Sequence, residues 1–136
     1  MQNRVCDGGI AIVDDERSIV DIYSKILISK KIPIAFVAYD GEEAVDKFMS
    51  CMHRPKVVLM DFRMPLMNGI EASKRIWKIE PSTRIIFISA DSGVKEEAIK
   101  AGAAGFIQKP ASLREIVVEV ECVINNSTCR TNHVSA

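Results

Sequence analysis

An excess of charge of either sign is the first thing this sequence lacks: eighteen Lys and Arg balance eighteen Asp and Glu. Without a net field, the chain offers no general attraction to nucleic acid or to an anionic membrane surface. Long apolar runs are missing too. None approaches the roughly 18 residues of a membrane span, and the N-terminus meets acidic residues before a signal-type apolar core could form. No CxxC pair or metal-ligand spacing occurs among Cys6, Cys51, Cys122 and Cys129, which are expected as free thiols in a reducing cytoplasm. His53 and His133 make no metal site and are expected to be solvated. There is no repeat, low-complexity run or internal linker. No GxGxxG or Walker A stretch points to a nucleotide enzyme, since Gly8-Gly9 precedes a strand rather than following one.

What is present fits one globular domain: 136 residues, 48% of them apolar, enough for a sizeable core. Short apolar runs alternate with amphipathic segments. Strands are expected at 9–14, 34–38, 56–61, 84–89 and 104–108. Helices are expected at 17–31, 41–53, 69–80, 94–101 and 112–125. The first helix presents Ile19, Val20, Tyr23, Ile26 and Leu27 at helical spacing, and the second Ala44, Val45, Phe48 and Met52. The third carries Ile70, Ala72, Ser73, Ile76 and Trp77. The last run is β-branched and partly alternating, which favours a strand by propensity. Its spacing of Leu113, Ile116, Val117, Val120 and Ile124, and its position after a strand, favour a helix. Residues 126–136 are expected as a frayed tail. Five strands, each followed by a helix, predict an α/β fold: a doubly wound parallel sheet with helices on both faces. Such sheets bind ligands beyond the carboxyl ends of their strands.

The chemically distinctive residues fall at those ends. The first strand runs into Asp14-Asp15, the third ends in Asp61, the fourth in Ser89, and the fifth runs into Lys109-Pro110. Clustered carboxylates repel and raise one another's pKa values, which a divalent cation relieves. Hard oxygen ligands with waters suit Mg²⁺, which engages a phosphoryl oxygen. Lys109 supplies a cation and Ser89 a donor for a phosphoryl group. A carboxylate can be the nucleophile, giving an aspartyl phosphate. Asp61 is the best candidate, because Asp14 and Asp15 form the adjacent metal pair. Blander uses exist for each: Asp14-Asp15 or Ser89 as helix N-caps, Phe106 as core, and Met64, Leu66 and Met67 as loop packing.

The stretches "IAIVDDE", "VVLMDFRMPLMNGIE", "IIFISA" and "GAAGFIQKP" resemble, in order, the motifs of the receiver domain of two-component response regulators. The likeness spans about residues 8 to 125 and is to the chemotaxis-type, stand-alone receiver. It implies a flavodoxin-like five-stranded sheet of order 2-1-3-4-5 with five flanking helices, the receiver occupying residues 1–125. It makes Asp61 the phosphoacceptor. It has Asp14, Asp15, Asp61 and the backbone carbonyl of Arg63 hold Mg²⁺, and Lys109 pair with the phosphoryl group. Ser89 and Phe106 occupy its two switch positions, and the Lys109-Pro110 bond is cis. The implied donor is a sensor histidine kinase or phosphotransfer protein, and the implied output is a protein effector met by the face of helix 94–101, strand 104–108 and helix 112–125. Autodephosphorylation is implied, in the cytoplasm, without membrane insertion or direct nucleic-acid contact.

Two further expectations concern side chains. Arg63 and Asp91 lie two residues after Asp61 and Ser89, so their opposite charges are expected to pair across the site mouth and gate water and kinase access. Val118 and Cys122, with Val94, are expected to form an apolar patch for a partner or homodimer. The rival functions are a non-cycling pseudo-receiver, disfavoured by the intact acidic and basic set, and a Mg²⁺-dependent aspartyl phosphohydrolase. The second usually needs an acid where Arg63 stands.

Overall fold

The computed structural model describes residues 9–125. The tail at 126–136 and residues Cys6, Cys129 and His133 lie outside them. Five parallel strands stand in the order β2-β1-β3-β4-β5, as expected. They are β1 (Ile10–Val13), β2 (Ile34–Ala38), β3 (Val57–Asp61), β4 (Arg84–Ser89) and β5 (Gly105–Gln108). The helices are α1 (Arg17–Ser29), α2 (Gly41–Ser50), α3 (Gly69–Ile79), α4 (Lys95–Ala101) and α5 (Leu113–Ile124). A 3-10 turn, Ser92–Val94, leads into α4.

The period of two along each strand divides the core. Ile10, Ile12, Val57, Leu59, Ile86, Ile88 and Ile107 pack with α1 and α5 residues such as Val20, Leu27, Ile116 and Val120. Ala11, Val13, Val58, Met60, Ile85 and Phe87 pack with residues of α2, α3 and α4. Strands covered on both faces have no polar side, which is why they read as continuous apolar runs.

Local chemistry sets the helix starts. Asp40 accepts the Glu43 N–H, and Asn68 accepts the Glu71 N–H. Ser112 and Glu115 form a reciprocal capping box at α5. That cap, with the buried stripe Ile116, Val117, Val120 and Val123, makes a helix of a β-branched run whose propensity favours a strand. Some expected contacts differ. α2 ends at Ser50, so Met52 is 87% exposed rather than on its buried face. Leu113 is the first residue of α5 and is exposed, not buried. Cys122 is disulfide-bonded, which corrects the expectation of a free thiol; its sequence spacing carries no sign of the bond. Val94 is buried, within the core cluster on the α2, α3 and α4 side of the sheet. Of the expected apolar patch, Val118 alone is an exposed side chain.

One glycine positions the site directly. A Cβ on Gly69 would meet the Asp61 carbonyl oxygen at 2.7 Å and the Phe62 Cα at 3.1 Å. The Gly69 N–H also donates to the Phe62 carbonyl at 2.9 Å. The start of α3 thus lies against the backbone that carries Asp61. Gly69→Ala is expected to lower stability by about 1–3 kcal/mol through overpacking against backbone. Urea unfolding measures this; an unchanged midpoint would refute the close approach.

Candidate functional site: an acidic cleft at the carboxyl edge of the sheet

The ladder runs past the strand ends and fixes the residues that follow. The Asp14 N–H donates to Ala38 at 3.1 Å, Phe62 to Ile88 at 2.8 Å, and Lys109 to Ser89 at 2.8 Å. Three loops therefore leave the sheet from anchored peptides. Their side chains line one open cleft: Asp15, Glu16, Asp61, Arg63, Ser89, Ala90, Asp91 and Lys109. Asp14 lies beneath, 2% exposed.

Asp14, Asp15 and Asp61 each offer a carboxylate oxygen, and these lie within 4.8 Å of one another. The Lys109 Nζ is 3.6 Å from Asp14 Oδ2 and 3.7 Å from Asp61 Oδ1. Burial is the main cause that raises the Asp61 carboxyl to about 7, with Asp14 adding to it and Lys109 opposing. Asp14 is also raised, again by burial first, against the Glu16 N–H bond at 3.0 Å and the Lys109 charge. Burial pushes the Lys109 ammonium down, but Asp61 and Asp14 more than offset it and its pKa rises. Both acids are thus shifted against their charged forms, whereas the ammonium's charge is favoured by the carboxylates around it.

The residues present fit Mg²⁺. Asp14 Oδ2 is buried and has no hydrogen-bond partner. The potential ligands are hard oxygens, two or more of them carboxylates, and an open side leaves room for waters. Asp14, Asp15, Asp61 and the Arg63 carbonyl would hold the ion. It would supply positive charge to a phosphoryl oxygen. The simple capping use of the acidic pair is not realised: the N-cap of α1 is Glu16, without a side-chain cap bond.

Ser89 is 2% exposed. Its Oγ accepts the Asp91 N–H at 3.0 Å, so Asp91, not Ser89, caps the 3-10 turn, through Gly93 N–H at 2.9 Å. The Arg63 guanidinium donates to Asp91 Oδ2 at 2.8 Å, as the opposite charges suggest. Phe106 does not reach the acidic cleft. It sits on β5, partly buried against the α4 side of the core, and borders a second cavity with Lys95, Arg114, Val118 and Glu119. The Lys109-Pro110 bond is cis.

Two features escaped the sequence reading. Tyr23, read there only as core, is buried on α1 within electrostatic reach of Lys109, Asp14 and Asp61, and burial raises its phenol pKa. Leu66 separates from its neighbours: Met64 and Met67 are buried, whereas Leu66 is 93% exposed at φ 72. The Met67 N–H donates to the Pro65 carbonyl at 2.8 Å, closing a γ-turn on Leu66.

The carboxyl shifts have a sign for stability. The folded Asp61 carboxyl titrates at about 7 against an ordinary 3.8, so between those values the folded state binds the extra proton. Stability of the metal-free protein should therefore be fullest below 3.8 and fall as pH rises to about 7 on this account. Asp61→Asn, which cannot ionise, should flatten that fall. Urea unfolding in chelator across this range checks both; a parallel slope in the variant would refute the assignment.

A family model, "Response regulator receiver domain", matches residues 10–121. The chain is 40% identical over 110 residues to the chemotaxis protein CheY of Thermotoga maritima, covering 79% of this chain and 90% of that protein. It is 35% identical over 118 residues to CheY of Bacillus subtilis, covering 85% and 97%. Among solved structures, the CheX-CheY-BeF3-Mg²⁺ complex from Borrelia burgdorferi holds a chain matched at TM-score 0.79 and 32% identity, over 85% of this chain and 87% of that one. With the acidic cleft, the strand order and this kinship together, the chain belongs to the response regulator receiver domains, the phosphorylation-dependent signalling modules of two-component systems.

Proposed function

We propose that Asp61 is the phosphoacceptor of this receiver and that a histidine kinase or phosphotransfer protein is its donor. The observation that carries this is the position of the Asp61 carboxylate: buried, 3.7 Å from Lys109 and grouped with Asp14 and Asp15 within 4.8 Å. An Asp61 oxygen attacks the phosphorus of a phosphohistidine. The O–P bond forms as the N–P bond breaks, and the departing imidazole nitrogen takes a proton. Lys109 balances the charge that arrives on the phosphoryl oxygens, and the Ser89 hydroxyl turns to donate to one of them. Asp14, Asp15, Asp61 and the Arg63 carbonyl would hold Mg²⁺, which would supply the remaining positive charge. Water reverses the modification in the same site, making the domain a catalyst of its own phosphorylation and dephosphorylation only. Arg63 and Asp91 gate the access of that water and of the donor.

The new group brings roughly −1.5 to −2 charge. Ser89 and Phe106 pass its arrival to the face of helix 94–101, strand 104–108 and helix 112–125, where a protein effector reads it. The proposed setting is the cytoplasm.

Incubation with Mg²⁺ and a small acyl phosphate should add one phosphoryl group by intact mass, and Asp61→Asn should take up none. An undiminished adduct on Asp61→Asn would overturn the assignment. The adduct's lifetime in Arg63→Gln, Asp91→Asn and the double variant tests the gate, which purely additive effects would discard. A homodimer through the output face would rest on Val118. Sedimentation of Val118→Glu against the parent chain, each with a phosphoryl mimic, reads it, and equal association excludes that contact.

A further inference from the structure

Asp91 is held through both side-chain oxygens and its own N–H, besides the turn bond from the Val94 N–H to its carbonyl at 3.3 Å. Its Oδ2 accepts from the Arg63 guanidinium at 2.8 Å, its Oδ1 accepts the Gly93 N–H at 2.9 Å, and its own N–H donates to Ser89 Oγ at 3.0 Å. These bonds make one chain from the loop after β3, through residue 91, to the hydroxyl of Ser89. Arg63 and Asp91 are 28 residues apart, so the folded sheet alone brings them together.

Ser89 is 2% exposed. Ser89 lines one cleft with Asp61, and in the role proposed for it the side chain turns within this packed site toward a group on Asp61. Turning stretches the bond from the Asp91 N–H unless residue 91 follows. Residue 91 is not free to follow, because each of its carboxylate oxygens is tethered. One tether is internal to the 3-10 turn. The other crosses to a different loop.

We propose that the Arg63–Asp91 bridge is a latch: it holds the Ser89 loop in the unphosphorylated arrangement and sets how readily the domain switches. The proposal rests on the roles assigned above to Asp61 and Ser89. In the latch Arg63 and Asp91 act as positioning residues, through Ser89, a role separate from their gating of water and donor. Their side chains are 68% and 44% exposed, so the bridge is screened and weak. The latch is therefore a graded bias. A pair of this kind changes a population ratio by about two- to fivefold. Direct contact between the guanidinium and the phosphoryl group predicts the opposite sign, since losing Arg63 would then weaken the modified state.

The test uses the whole chain with Mg²⁺ and beryllofluoride as a phosphoryl mimic, so that hydrolysis plays no part. The titration midpoint is read from backbone amide resonances. Arg63→Gln and Asp91→Asn should each lower it by about two- to fivefold, and the double variant should lower it no further than either. Arg63→Lys, which keeps the charge, should restore it. In the metal-free protein, Arg63→Gln should speed hydrogen exchange of the Asp91 amide. An unchanged or raised midpoint in Arg63→Gln, or additive shifts in the double variant, overturns the latch while leaving the Asp61 reading intact. Absence of beryllofluoride binding by the parent chain overturns that reading, and the latch with it.

Discussion

One ammonium between two buried carboxylates is the constraint around which the working edge of this fold is arranged. Lys109 stands 3.6 Å from Asp14 and 3.7 Å from Asp61. Its charge opposes the burial that raises both acids. Without it, two desolvated like charges would face each other, and one would be forced to keep its proton. The compensation is incomplete even so. Asp14 Oδ2 makes no hydrogen bond, and the Asp61 carboxyl still titrates at about 7. A site left short of positive charge in this way is poised for a cation and for a group that Lys109 can share. Local stability is given up for that readiness.

The backbone around Asp61 is correspondingly over-determined. Phe62 donates to Ile88 on one side, and the Phe62 carbonyl accepts from Gly69 on the other. The Phe62 ring meets Phe87 edge-on at 5.7 Å. Between these anchors the chain makes its tight turn at Leu66, whose φ of 72 costs a non-glycine residue on the order of 1–3 kcal/mol. Buried Met64 and Met67 flank it and supply the packing that holds the turn. The strain lies beside the acidic cleft and not in the core, so it shapes the loop that bears Arg63 without loosening β3.

The five strands, their helices and the acidic edge were legible in the sequence, because their signals are local. Apolar runs of strand length end in Asp, Ser or Lys, and helical stripes lie between them. The Arg63–Asp91 pair was legible for a related reason: each residue is two past a strand end, and adjacent parallel strands align those offsets. The failures are those where a neighbour in space decides. Met52 fits the helical stripe, but α2 has already ended at Ser50. Leu113 fits the stripe of α5 but stands on its first, uncovered turn. Val94 reads as exposed, yet is buried in the core cluster on the α4 side of the sheet. The Cys122 bond depends on proximity that spacing does not encode. Tyr23 reads as a core residue, and it is one; its electrostatic reach to Lys109, Asp14 and Asp61 appears only once the fold gathers the strand ends beside α1.

The pleat gives the proposed relay from Asp61 a direction, toward α4 and not toward α1. Asp61 and Lys109 share the strand parity of Leu59 and Ile107, whose side chains pack with α1 and α5. Ser89 has the parity of Phe87, which packs with α2, α3 and α4. Ser89 therefore lines the acidic cleft while packing toward the other face of the sheet. In the β4–β5 register, Phe87 pairs with Phe106 and Ser89 with Gln108, so Phe106 is the diagonal neighbour of Ser89 on the same face. Phe106 in turn packs against the cluster that contains Val94 and Ala98, at the head of α4 and within it. A turn of the Ser89 side chain would change the space beside Phe106 without disturbing the α1 and α5 packing. The same turn acts on the Asp91 N–H, because Ser89 Oγ is its acceptor. Residue 91 begins the segment that leads through Val94 into α4. Ring and loop would thus be two routes from one hydroxyl to one helix. Close packing makes such a region shift between discrete arrangements and not deform by degrees.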